Sequence, residues 1–369
     1  MQTEVRPLIA PLGDLSVPVR CSNKFKWVRR SRLADAAENK QVTDPIGSSD
    51  IGDMLKLLRV LTVLTGVFVA SALPGAATDY PRQPVRVLVG LAAGGGTDIV
   101  ARLLAEWLSE NLGQQFIVEN RTGMGGSLAA QALINAPVDG YTLLFMGPNN
   151  AIATSLYKKL PFDFLRDTEP VAGVMRLTNL MVVPPSLPVK TVQEFIDYAK
   201  ANRGKVMMAS SGNGTTVHLS GELFKAMTNI EMVHVPYRGS SNAYPDLMTG
   251  KVHVLFDNLT GSIELVRLGK LRALGVTAEK RWKLLPDIPA IAETVPGYEA
   301  SVWYGIVAPK GTPSEVVATL NRAVNTALAD SKLLTRFSEV GGEPMAGGSQ
   351  SRPRRDDDGD LLSRSRPGI

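Results

Sequence analysis

One cysteine, three histidines and an aromatic content of 6% mark what this 369-residue chain has little of. Cys21 has no partner, which excludes an intramolecular disulfide framework and any CxxC metal site. His218, His234 and His253 show no HxxxH spacing and no accompanying carboxylate cluster, so neither a metal nor a cofactor is expected. A G-x-S-x-G elbow is missing, which argues against a serine hydrolase. The run GGGTDI at 94–99 lacks the last glycine of the dinucleotide fingerprint, and no lysine stands near it to complete a P-loop. Sparse aromatics disfavour an aromatic cage for a sugar or quaternary amine. The chain carries 40 Lys+Arg against 35 Asp+Glu, but residues 78–348 carry 25 against 24. The basic excess belongs largely to the ends, and no basic stripe with interleaved aromatics occurs, so nucleic-acid binding is not expected.

What is present describes a globular protein: 44% hydrophobic and 20% charged residues, over a length sufficient for two cored domains. The segment MLKLLRVLTVLTGVFVASALPGAA (54–77) has a basic start, a short apolar stretch and small residues after it. Those are the parts of a secretory signal peptide. Because such a signal is read from the N-terminus, Met54 is the expected start, and residues 1–53, which lack periodicity, are read as a disordered upstream extension. The Arg/Asp-rich run 348–369 reads as an aberrant disordered tail.

From Tyr80 onward, strand and helix patterns alternate. VRVLVGL (85–91), FIVEN (116–120) and YTLLFMG (141–147) read as strands, separated by helices over about 97–112 and 127–136. After NLMVVPP (179–185) a second series follows, with strands at 205–211, 232–237, 252–258 and 271–277. SVWYGIVAP (301–309) then leads into a long helix beginning near Pro313. The pattern predicts an α/β fold of two lobes, each a sheet flanked by helices, joined by two crossover strands. Lobe 1 is assigned 78–179 and 304–347, and lobe 2 180–303. Ligands in such sheets sit beyond the carboxyl ends of the strands, so facing lobes predict one cleft.

Two loops follow strands and open helices. In the first, Ala93, Gly94, Gly95, Gly96, Thr97 and Asp98 aim backbone N–H groups and a helix dipole at one point, a setting that suits an anion. A tight turn with Thr97 as N-cap and Asp98 opposing the dipole is the competing reading. In the second, SSGNGTTVH (210–218) offers the hydroxyls of Ser210, Ser211, Thr215 and Thr216 beside Gly212 and Gly214. Hydroxyls and amides orient a carboxylate without burying a fixed cation. His218 falls on the first turn of the following helix, within reach of a guest. No nucleophile or acid–base pair stands out, which favours binding over turnover.

YPRQPVRVLVGLAAGGGTDIVARLL, NRTGMGGSLAA, ASSGNGTTVHLSGELFK, MVHVPYRGSSNAYPDLMTGKVHVLFDN and WYGIVAPKGTP resemble the substrate-binding proteins of tripartite tricarboxylate transporters, the Bug family, from about 80 to 347. The resemblance implies a type II-like periplasmic binding protein. It would be a monomer that closes over a small di- or tricarboxylate and delivers it to integral-membrane transporter subunits. It also implies contacts from both glycine loops, from Gly239, Ser240 and Ser241, from Asp257 and Asn258, and from Asn149 in the GPNN turn. The family normally continues past GGEPMAG with a further helix that residues 348–369 do not resemble; a reading-frame shift near Gly347 would explain that departure. An enzyme acting on a small acid through Asp98 or His218, and a sensory module for a membrane regulator, are the alternatives.

Overall fold

The computed structural model describes residues 80–345. The expected extension, signal peptide and tail lie outside them. In chain order the elements are β1 (Val85–Val89), α1 (Gly96–Leu112), β2 (Phe116–Asn120), α2 (Ser127–Ile134), β3 (Thr142–Met146), α3 (Pro148–Leu156), α4 (Phe164–Asp167) and β4 (Thr168–Val183). Then come α5 (Val192–Ala201), β5 (Met207–Ser210), α6 (Thr216–Thr228), β6 (Val233–Pro236), α7 (Ser240–Met248), β7 (Val254–Asn258), α8 (Leu259–Arg267) and β8 (Arg272–Val276). The described chain ends with β9 (Ser301–Pro309), α9 (Ser314–Ala327), α10 (Ser331–Glu339) and the two-residue β10 (Glu343–Pro344).

Two sheets share one strand. In the first the order is β2-β1-β3-β9-β4, with β1 parallel to both neighbours and β9 antiparallel to β3 and β4. In the second, β4 is flanked by β7 and β8, both antiparallel to it, and β7-β5-β6 continue in parallel. Residues 168–178 of β4 pair with β9, and residues 179–183 pair with β7 and β8. The strand therefore passes from one lobe into the other without a break.

The parallel strands are near-continuous apolar runs because helices cover both faces. On α1, Val100, Leu104 and Leu108 recur every four residues and pack with Val316, Leu320 and Val324 of α9 against Val87, Leu143 and Phe145. Leu133 of α2 and Phe164 cover the opposite face with Leu88 and Leu144. In the second lobe Phe195, Phe224, Phe256 and Tyr298 fill one face, and Leu247, Leu255 and Leu259 the other. Each such side chain contributes about 1.5–3 kcal/mol when fully buried. Gly113 ends α1 in the left-handed region at φ 70°, where a glycine carries no Cβ penalty.

Candidate functional site

The first glycine loop closes on the chain's own anion. The Gly94 N–H donates to Asp98 Oδ2 at 2.9 Å, Arg102 Nε donates to the same oxygen at 2.9 Å, and Asn120 Nδ2 donates to Asp98 Oδ1 at 2.9 Å. Burial raises the cost of ionising Asp98, yet those three donors outweigh it and hold the carboxyl below its ordinary value. Helix α1 begins at Gly96 with Gly95 as its N-cap, so Thr97 lies inside the first turn instead of capping it. The Thr97 hydroxyl donates to Tyr304 Oη at 3.2 Å. The glycines admit the other lobe: a Cβ on Gly96 would overlap Thr260 Oγ1 and lie 3.1 Å from the backbone nitrogen of Gly261. Ala93 and Gly94 remain exposed.

The second glycine loop is organised from its side chains. Thr215 caps α6, accepting the His218 N–H at 3.3 Å and donating to the Gly212 carbonyl at 2.8 Å. Ser210 Oγ accepts the Gly212 N–H at 3.1 Å and lies 2.6 Å from His234 Nε2. The Gly214 N–H donates to His218 Nδ1 at 3.2 Å, which fixes that nitrogen as an acceptor. The His218 and His234 rings stack with centroids 4.0 Å apart. Burial lowers both imidazole pKa values, His234 to about 4 with a further contribution from His218. Ser211 differs from its neighbours. Its hydroxyl is buried and has no hydrogen-bond partner.

Three further groups complete the region. The turn before α7 is pinned to the first lobe: the Ala92 N–H donates to the Arg238 carbonyl at 3.2 Å, and Ser241 Oγ donates to the Ala93 carbonyl at 2.8 Å. A Cβ on Gly239 would lie 2.6 Å from Ala92 Cβ. Ser240 is buried at the start of α7. Asp257, fully buried, accepts Tyr244 Oη at 2.7 Å, and burial pushes its carboxyl up to about 6. Asn258 Nδ2 donates to Asn179 Oδ1 at 2.6 Å and to Thr216 Oγ1 at 3.3 Å, and Asn258 Oδ1 accepts Tyr304 Oη at 3.0 Å. GPNN forms the start of α3, where Asn149 Nδ2 donates to the Gly125 carbonyl at 2.7 Å.

A cavity of about 170 Å³ lies where the loops of the two lobes meet. Leu91, Gly123, Met124, Gly125 and Tyr157 line it from the first lobe, and Ser211, Gly212, Asn213, Pro236, Tyr237 and Arg238 from the second. Of the residues singled out in the sequence, Ser211 and Gly212 line this cavity; Ala93–Asp98, Asn149, Ser210, Gly214–Thr216, His218, Gly239–Ser241 and Asp257–Asn258 do not. The TGMGG loop was not among the residues singled out. Its signal was the glycine cluster itself, which puts backbone at the cavity wall and carries Met124 at φ 49°. The lobes touch here: a Cβ on Gly125 would overlap the Asn213 carbonyl, and one on Gly214 would lie 2.5 Å from Leu156 Cδ2. Among the described residues no group of three or more His, Cys, Asp or Glu could hold a metal ion, and no helix is long and apolar enough to cross a membrane.

Residues 100–359 match the family described as the tripartite tricarboxylate transporter family receptor. The chain belongs to that family. This receptor-family chain is 35% identical over 297 residues to Protein BugT of Bordetella pertussis, covering 79% of this chain and 91% of that one. Among solved structures, an R. palustris protein with adipate shares 40% identity at a TM-score of 0.71, covering 73% of this chain and 91% of that one. MatC from Rhodopseudomonas palustris with bound malate shares 33% identity at a TM-score of 0.68, with 71% and 90% covered. The periplasmic binding protein BugD shares 34% identity at a TM-score of 0.70, with 72% and 89% covered. The fold of this family member is accordingly that of the periplasmic binding proteins, two α/β lobes around a cleft.

Proposed function

We propose that the protein is a periplasmic receptor that captures a small di- or tricarboxylate between its lobes and hands it to the membrane subunits of a tripartite transporter. The observation that carries this reading is the inter-lobe cavity, where Ser211 Oγ is buried and without a partner. A buried hydroxyl left unsatisfied costs about 1–3 kcal/mol, which a carboxylate oxygen placed in the cavity removes. The volume of about 170 Å³ falls below the range of roughly 300–1,000 Å³ that accommodates drug-sized ligands, so the guest is small. Adipate and malate in two similar structures fit that class. Ser211 and Gly212 are the direct contacts in this reading. The remaining loop residues hold the backbone in place, Asp98 by accepting the Gly94 N–H, Thr215 by capping α6 and His218 by accepting the Gly214 N–H.

Binding is favoured over turnover because the lining hydroxyls of Tyr157, Ser211 and Tyr237 have no Asp, Glu, His or Lys beside them in the cavity wall to serve as a base. Titration of the purified protein with C4–C6 di- and tricarboxylates by calorimetry, with the acid recovered and assayed afterwards, tests this. A dose-dependent heat with quantitative recovery of the acid is the expected result. Chemical conversion of the acid would identify an enzyme, and absence of any heat across the panel would overturn the receptor reading.

A further inference from the structure

Arg238 is the one charged residue on the cavity wall. Its backbone is fixed, because its carbonyl accepts the Ala92 N–H of the other lobe and the adjoining Gly239 packs against Ala92. Its side chain is exposed, and the guanidinium has no ion-pair or hydrogen-bond partner among the described residues. The nearby acid Asp246 is already taken, accepting Tyr237 Oη at 2.8 Å and Lys251 Nζ at 3.0 Å. A residue with an uncompensated positive charge thus forms part of the wall of a small chamber, its backbone held there by the same contacts that join the lobes. Across the chamber wall, Ser211 offers the unpartnered hydroxyl.

We infer that Arg238 determines specificity in this cavity: its guanidinium takes the second carboxylate of a dicarboxylate whose first is held at Ser211 and Gly212, so the protein selects dianions over monoanions of the same length. The inference rests on the receptor reading. Arginine suits the role because its planar donor fork matches a carboxylate and stays charged at any physiological pH. A monoanion satisfies Ser211 but leaves the guanidinium to water. A dianion satisfies both.

The test compares matched acids, adipate against hexanoate and succinate against butyrate, on the wild type and on Arg238→Gln and Arg238→Lys. Calorimetry is run at two salt concentrations, with a thermal melt of each variant to confirm folding. The wild type is expected to prefer the diacid by about tenfold or more, a preference that weakens at high salt. Arg238→Gln should lose the preference, and Arg238→Lys should restore part of it. An undiminished, salt-sensitive diacid preference in folded Arg238→Gln would overturn this inference and leave the receptor reading standing. Absence of binding of any of the four acids to the wild type would remove both.

Discussion

The two glycine-bearing junctions of this molecule occupy equivalent places, each following a parallel strand and opening a helix, and they have been put to different use. At the first, the N–H of Gly94 is spent on the Asp98 carboxylate, and Gly96 lets α8 approach. At the second, the side chains of Ser210, Thr215 and His218 satisfy the loop's polar backbone from within, and Ser211, a residue of the cavity wall, keeps a buried hydroxyl without a partner. An anion-compatible loop therefore does not by itself mark a binding site. What separates the two is the Ser211 hydroxyl, which the second loop leaves without a partner.

Four substitutions or conditions would sharpen or break that contrast. The largest effect is expected for Gly96→Val. The added branch has no room against Thr260 and Gly261, and a loss of about 3 kcal/mol in chemical denaturation follows. A loss below about 0.5 kcal/mol would show that α1 and α8 do not pack as described. Next is Asp98→Asn, expected to cost about 2 kcal/mol near neutral pH by weakening three charge-assisted donors. Because the native Asp98 pKa lies below its ordinary 3.8, the stability it contributes is present above that value and lost as pH falls through the native one. Wild type and variant should therefore converge in acid.

The fold was legible where hydrophobic runs were nearly unbroken. VRVLV, interrupted by the exposed Arg86, and SVWYGIVAP announce strands because strands covered on both faces need apolar residues at nearly every position. The first half of β4 was not legible. TEPVAGVMRLT contains Pro170, Gly173 and Arg176, and the register slips between Pro170 and Ala172 and again between Gly173 and Met175. Bulges of that kind erase the two-residue alternation. Helix α3 was hidden in the same way, since GPNN reads as a turn until the Pro148 position is seen to be the first residue of a helix. Of the site, Ser211 and Gly212 were legible from local chemistry. The contributions of Gly123–Gly125, Tyr157 and Arg238 were not, because they reach the cavity through contacts between segments far apart in the chain.

Two smaller effects complete the comparison. Ser211→Ala should leave the melting temperature of the free protein unchanged or slightly raised, since its hydroxyl has no partner to lose. It should weaken carboxylate binding about five- to tenfold by calorimetry; unchanged affinity would detach the second loop from the ligand. The smallest effect concerns pH. The unfolded chain protonates His234 near 6.5 and the native state only near 4, so the native state is penalised progressively as pH falls across that window. Asp257 acts in the opposite sense: its native value of about 6 exceeds the unfolded 3.8, so stability is lost as pH rises between them. Melts from pH 4 to 7 should show a flatter acid-side decline for His234→Gln. For Asp257→Asn, the difference from wild type should move in the variant's favour as pH rises. Parallel curves for all three proteins would mean that neither group is placed as described.

Strand β4 belongs to both sheets, changing neighbours between Thr178 and Asn179. That junction is buried and braced: Thr178 Oγ1 lies 3.1 Å from Thr277 Oγ1, and Asn179 is held by Asn258 and by Ser220. A ribbon with no swivel at its midpoint behaves as a torsion bar. The bracing favours twist spread along the shared strand over a pivot at a single residue when one half of the molecule reorients.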